Sequence, residues 1–256
     1  MSLLHWLQQL RLKAESLLSA KRYPCLSCSS TYTRLWELPL CHACAEAIPW
    51  IYQVSCERCG RPDVCPDCIR RKEPHFVSNR SAVSYDPLMK EWLGMYKYRG
   101  HERMRQLIGT MLLHAYHLHR QSGPQQLQGS APKRLELITY VPLSDQRLSE
   151  RGFNQAQQLA EELGRKTGIP VVPLLQRLRH TDKQSFKTRG DRLEDLQGVF
   201  GVPLSVKQKH AQWFAEAAVT VYIVDDVYTT GSTLNECAKA IKQHFHAEVC
   251  GISWAR

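Results

Sequence analysis

Val219-Thr220-Val221-Tyr222-Ile223-Val224-Asp225-Asp226-Val227-Tyr228-Thr229-Thr230-Gly231-Ser232-Thr233-Leu234 is the stretch whose reading decides the fold. Its first six residues are apolar or β-branched, the pattern of a strand buried on both faces, and they end in two acids. A turn rich in hydroxyls then opens a helical pattern from Ser232 to about Phe245. N–H groups at a helix start lack partners within the helix and carry partial positive charge, so such a turn suits a phosphate monoester. Gly231 permits close approach because it has no Cβ, and Thr229, Thr230, Ser232 and Thr233 add hydroxyl donors. Asp225 and Asp226 alternate across the strand end, which predicts two jobs rather than one. Carboxylates beside a bound phosphate accept bonds from sugar hydroxyls or hold magnesium through water. A helix cap beside two surface acids is the plainer alternative and leaves the combination unexplained.

The surrounding chain has the same rhythm. From residue 135, short apolar runs (Leu135 to Val141, Ile169 to Leu175, Val219 to Val224, Glu248 to Trp254) alternate with helical patterns over Phe153 to Lys166 and Ser232 to Phe245. Upstream, Ser81 to Tyr85 reads as a strand, followed by helix from Pro87 to Tyr98, a break at Gly100, and helix again to about Arg120. The stretch Gln121 to Lys133, with Gly123, Pro124, Gly129 and Pro132, reads as a flexible connection. Alternation of this kind predicts an α/β fold: a parallel sheet flanked by helices, with ligands outside the carboxyl ends of its strands.

Eight of the ten cysteines form four Cys-x-x-Cys pairs: Cys25/Cys28, Cys41/Cys44, Cys56/Cys59 and Cys65/Cys68. Each pair is a knuckle that turns two sulfurs toward one point, and two knuckles complete the tetrahedron that zinc prefers. The simplest pairing joins the first two knuckles and the last two; a cross-braced pairing is the alternative. Four sulfurs leave no open position, so the predicted zinc ions, two in number, are structural. Polar segments such as Ser27 to Thr33 cannot fold on apolar burial, and zinc can supply on the order of 10 kcal/mol. Cys237 and Cys250 stand in apolar surroundings and read as core residues. The expected organisation is an amphipathic helix within residues 1–22, a zinc-binding module over 23–75 and an α/β domain over 76–256.

Composition bounds the function. The 256 residues are 43% hydrophobic and 23% charged, which fits a globular chain and excludes wholesale disorder. No apolar run approaches the roughly 20 residues of a membrane span, and Arg11 and Lys13 interrupt the first leucines in a way no signal peptide would, so a cytoplasmic protein is expected. Leu3, Leu7, Leu10, Ala14 and Leu17 share one helical face; docking onto the protein is the first reading, with a partner or peripheral membrane surface as the alternative. The formal charge of +10, lowered but still positive if the cysteines hold zinc as thiolates, favours polyanions.

Two segments concentrate that charge. Arg177, Arg179, Lys183, Lys187, Arg189 and Arg192 surround Phe186, and Tyr96-Lys97-Tyr98-Arg99-Gly100-His101 is followed by Arg103 and Arg105. Solvated surface, closure over a phosphate ligand and binding of single-stranded DNA, with charges along the backbone and rings on bases, all fit. His114, His117 and His119 lack an accompanying acid and read as a surface cluster rather than a metal site.

Asp225 through Thr233 resembles the phosphoribosyl-pyrophosphate signature of type I phosphoribosyltransferases. The ordered set of four knuckles, Lys97-Tyr98-Arg99-Gly100, Val141-Pro142-Leu143, Arg151-Gly152-Phe153-Asn154-Gln155, and Gln184 followed by Arg192 is similar to the ComF-type competence proteins within that superfamily. The resemblance covers about residues 25–256. It implies that Asp225 and Asp226 engage ribose hydroxyls and that Thr229, Thr230, Gly231, Ser232 and Thr233 bind the 5-phosphate. It also implies a pyrophosphate loop from Val141 to Arg147, including Ser144, and a mobile lid from Arg177 to Arg192. Lys97, Arg99, Arg151, Asn154, Gln184 and Arg192 belong to these pyrophosphate and lid elements. The implied ligand is phosphoribosyl pyrophosphate with magnesium, and the implied role is uptake or handling of single-stranded DNA in natural transformation, beside a helicase-like partner. Transfer of ribose 5-phosphate to an acceptor is the alternative. Purine-salvage relatives have an acid where this chain has Thr229, which argues against a purine acceptor, and Asp195 stands where the family often has asparagine.

Overall fold

The computed structural model describes residues 22–33, 38–63, 65, 68, 74–99, 102–122, 134–179 and 197–256. Its contacts divide the chain into two compact units, Met1–Ile48 and Pro49–Arg256. The amphipathic stretch before Arg22, residues 123–133 of the expected connection, and the basic residues between 180 and 192, with Gln184, lie outside the described residues.

In the first unit β1 (Arg22–Pro24) and β2 (Thr31–Thr33) pair antiparallel, Tyr23 opposite Tyr32. Their connection is the first knuckle, closed by the Cys25 N–H on Ser30 O at 2.8 Å and the Ser29 N–H on Cys25 O at 2.9 Å. The second knuckle opens the short helix α1 (His42–Glu46), with Cys41 at its N-cap. The Leu26 N–H donates to Pro39 O at 3.0 Å and ties the two together. Only Cys25, Leu40 and Ile48 are buried among the described residues here, so apolar burial among them contributes little.

The second unit holds, in chain order, β3 (Ser78–Val83), α2 (Pro87–Arg99), α3 (Glu102–Ser122), β4 (Leu135–Tyr140), α4 (Asp145–Arg151), α5 (Gln155–Thr167), β5 (Gln176–Arg177), β6 (Phe200–Gly201), α6 (Leu204–Glu216), β7 (Val219–Val227), α7 (Ser232–Lys242) and β8 (Ala247–Ala255). Four strands form a wholly parallel sheet in the order β3-β8-β7-β4. Parallel strands need covered faces, and alternation along β7 shows how both are covered. Val219, Val221 and Ile223 join a core with Leu234, Cys237, Ala238 and Ile241 of α7. Tyr222 turns to the opposite face, its ring 5.6 Å from that of Tyr116 on α3. Each fully buried Val or Ile contributes about 1.5–3 kcal/mol, which anchors β7 beside the site. Both sheet edges are partly occupied. Beside β3 the Ile51 N–H donates to Ala82 O (3.0 Å) and the Ser84 N–H to Pro49 O (2.9 Å); beside β4 the Val172 N–H donates to Ile138 O (2.8 Å).

Four sequence readings are corrected. The strand expected at Ser81 to Tyr85 runs from Ser78 to Val83, because the polar Ser78-Asn79-Arg80 start is paired to β8 despite its composition. The apolar run Ile169 to Leu175 forms a single bridge, Val171 to Ile138, since Pro170 and Pro173 supply no N–H for a ladder. The last helix stops at Lys242 rather than Phe245. His114 and His119 are not a surface cluster: His114 Nε2 lies 2.7 Å from Ile51 O, and His119 Nε2 lies 2.7 Å from Gly251 O. Burial lowers the His119 pKa to about 4, so its imidazole is neutral and serves packing.

Candidate functional site

The carboxyl end of β7 and the start of α7 meet in an open cleft lined by Asp225, Tyr228, Thr229, Gly231 and Thr233, with Asn79 and Ser253 contributed from β3 and β8. Gly231 is the N-cap of α7 at φ 74, a conformation that a residue with a Cβ rarely adopts. The Thr230 and Ser232 hydroxyls lie 2.8 Å apart across the turn, and the Ser232 N–H donates to Thr230 Oγ1 at 3.4 Å. Ser232 is buried, Thr230 and Thr233 are half-buried and Thr229 is exposed, so the turn grades from core to solvent. The space that a Gly231 Cβ would need is taken by the Tyr228 ring. The glycine therefore serves the protein's own packing, where the sequence reading assigned the gap to a ligand.

The two acids divide as their alternation predicts. Asp225 shares the face of Val221 and Ile223 and lines the cleft. Asp226 turns to the other face, where its Oδ2 lies 2.6 Å from Lys97 Nζ of α2. The Asp226 N–H donates to Asp225 Oδ1 at 2.8 Å. Burial, and then the charge of Asp226, push the Asp225 pKa up to about 7, against the opposing pull of that N–H and of Lys97. A carboxyl at this value changes charge near neutrality, and its proton and a ligand's hydroxyl or cation compete for the same oxygens.

The turn after β4 is held from behind. Asn154 caps α5 by accepting from the Ala156 N–H (3.0 Å) and the Gln157 N–H (3.4 Å), while its Nδ2 donates to Val141 O (3.1 Å). Ser144 caps α4 by accepting from the Arg147 N–H at 3.4 Å, and Arg151 Nη1 donates to Gln155 Oε1 at 2.9 Å. Tyr96 is buried, its hydroxyl donating to Gln155 O (3.2 Å) and reaching Gln158 Oε1 (3.0 Å), so this ring is not available for stacking on bases. Arg177, whose guanidinium lies 5.5 Å over the Phe200 ring, is held below the usual arginine range by burial and then by the charge of Arg147. The structure thus gathers Asp225, Asp226 and Lys97 with the hydroxyl turn and sets Asn154 and Ser144 as supports. It says nothing of the Arg99 side chain, Gln184 or Arg192.

Sequence reasoning missed Asn79, Ser81, Ser253 and Arg256. Asn79 Nδ2 approaches Ser81 Oγ (3.2 Å) and Ser253 Oγ (3.3 Å), and those hydroxyls lie 2.7 Å apart. Asn79 and Ser253 meet across 174 residues of sequence, so no local pattern marks them.

Both tetracysteine sets form by the sequential pairing. Cys25, Cys28, Cys41 and Cys44 bring their sulfurs within 4.8 Å of one another, as do Cys56, Cys59, Cys65 and Cys68. Cys28 and Cys41 sulfurs are 3.7 Å apart and those of Cys59 and Cys65 3.5 Å. A zinc tetrathiolate separates its sulfurs by about 3.8 Å, so both sets fit that ion. All ten cysteines are free, and Cys237 and Cys250 are core residues as expected. Among the described residues no helix is long and apolar enough to cross a membrane.

No family model matches the chain. It is 29% identical over 236 residues to competence protein ComFC of Bacillus subtilis, covering 85% of this chain and 88% of that protein. It is 29% identical over 217 residues to DNA utilization protein YhgH of Escherichia coli K12, covering 82% and 87%. A shorter stretch of 109 residues is 36% identical to competence protein F of Haemophilus influenzae, 42% of this chain and 44% of that one. Matches at 29% identity over more than four fifths of the chain make it a homologue of proteins named for competence and for DNA utilization.

Proposed function

We propose that the protein acts in competence, in the handling of incoming single-stranded DNA, and that the β7–α7 turn binds phosphoribosyl pyrophosphate with magnesium. The relatives' names, competence protein and DNA utilization protein, support the role in competence. One observation carries the second: Asp225 lies in the wall of the same cleft that the Thr229 to Thr233 turn opens, so a carboxylate for ribose hydroxyls adjoins a helix start for the 5-phosphate. Carboxylate oxygens of Asp225 suit magnesium, which would supply charge neutralisation for the pyrophosphate. Asp226, already engaged by Lys97, tunes Asp225 instead of sharing its task. Calorimetry is the test. Wild-type protein should bind phosphoribosyl pyrophosphate only with magnesium, and the double variant Asp225→Ala with Asp226→Ala should lose binding while staying folded. Equal affinity in the two overturns the assignment.

Transfer of ribose 5-phosphate is the second reading, and the Asp225 pKa near 7 is what favours it, because a group poised at neutrality can move a proton. In that reaction a nucleophile bonds to C1 of the ribose as the C1–O bond breaks and pyrophosphate leaves. Pyrophosphate release in the presence of a candidate acceptor decides for it, and binding without release decides for the ligand-binding adaptor.

A further inference from the structure

The second tetracysteine cluster and the hydroxyl turn line one crevice. Cys59, Cys65 and Cys68 face Tyr228, Thr229, Thr230 and Arg256 across it. Cys59 and Cys65 are buried in the same core as Leu234 and Cys237 of α7.

The knuckle is seated on β3 by backbone and side-chain bonds together. The Asn79 N–H donates to Arg58 O at 2.7 Å, and Arg80 Nη1 donates to Glu57 O at 2.6 Å. Gly60, at φ 75, lies so close that an added Cβ would stand 2.5 Å from Asn79 O. From this seat two side chains reach the two walls of the cleft, and both hold the same atom, the carbonyl oxygen of Cys59. Asn79 Nδ2 lies 3.4 Å from it and continues to Ser253 in the cleft wall. The Arg256 guanidinium donates to it and lies 5.1 Å over the Tyr228 ring, which packs against Gly231. The Tyr228 N–H completes the connection by donating to Ala255 O at 2.8 Å.

We propose that the Cys56, Cys59, Cys65 and Cys68 cluster, acting through Arg256 and Asn79, positions the sugar-phosphate turn, so that zinc at this cluster and phosphoribosyl pyrophosphate in the cleft stabilise one another. Arg256 and Asn79 are positioning residues. The proposal rests on the binding reading above and adds to it the dependence on a particular metal centre. The physical basis is that tetrahedral ligation fixes the Cys59 backbone, a fixed carbonyl holds Arg256, and Arg256 holds the Tyr228 ring that shapes the bend. Coupling between two sites is reciprocal, so it can be read from either end.

The extent of zinc release at equilibrium with a competing chromogenic chelator, measured with and without phosphoribosyl pyrophosphate and magnesium, reads it from the metal end. In the wild-type protein the ligand should raise the affinity for one of two ions about tenfold, a coupling within the usual range for linked sites. Arg256→Ala keeps all eight ligands and should retain its zinc, yet release should become insensitive to the ligand and affinity should fall about tenfold. Arg256→Lys, which keeps charge but loses the planar group over Tyr228, should restore little of the coupling and guards against a folding defect in the alanine variant. Calorimetric binding by the wild-type chain with no change in release of either ion overturns the coupling and leaves the binding reading standing. So does full affinity after the second cluster has been stripped of metal. Absence of any binding by the wild-type chain overturns both.

Discussion

Asp225 and Asp226 are neighbours in sequence and strangers in environment. Asp226 has a cation at 2.6 Å; Asp225 has burial and the adjacent negative charge, and holds its proton up to about pH 7. The sign of the consequence follows from proton counts. The unfolded chain loses this proton near the ordinary carboxyl value of 3.8, the folded chain near 7, so between these values the folded state binds more protons and stability falls as pH rises. Above about 7 the whole cost is present. Asp225→Asn should therefore raise the melting temperature relative to wild type at pH 8, with the gain shrinking at pH 5. A gain that is the same at both values would remove Asp225 as its source.

Elements explain why that carboxyl is where it is. Period-two alternation on β7 sends odd positions toward α7 and even positions toward α3, and the strand ends with one acid on each side. Gly231 then turns the chain at positive φ with the Tyr228 ring against it, so Gly231→Ala should cost both strain and contact, about 1–3 kcal/mol in thermal denaturation, and should weaken sugar-phosphate binding. This much was legible, because strand, acids, turn and helix are contiguous and obey local rules. The four knuckles were legible for the same reason. Ile169 to Leu175 was misread because hydrophobicity outvoted Pro170 and Pro173, whose missing N–H groups decide the matter. Asn79 and Arg256 could not be read at all. Their partners, Ser253 and the Cys59 carbonyl, are far off in sequence and are brought near only by β3 pairing to β8.

At the scale of the whole molecule, the basic excess and the sheet lead to separate expectations. If single-stranded DNA is a partner, its affinity should fall linearly in log–log terms as salt rises, because cations on the protein displace counterions from phosphates. Salt-independent binding, or none, in fluorescence anisotropy would remove the nucleic-acid part of the proposal. The four-stranded sheet bears on how any protein partner docks. Pro49 to Ile51 lies along one outer strand and Val171 to Val172 along the other, so each margin already has a lodger. A guest peptide seeking to lengthen the sheet must first evict a piece of this chain. Recruitment by strand addition is thereby discouraged at both flanks, and assembly is left to helix faces and loops.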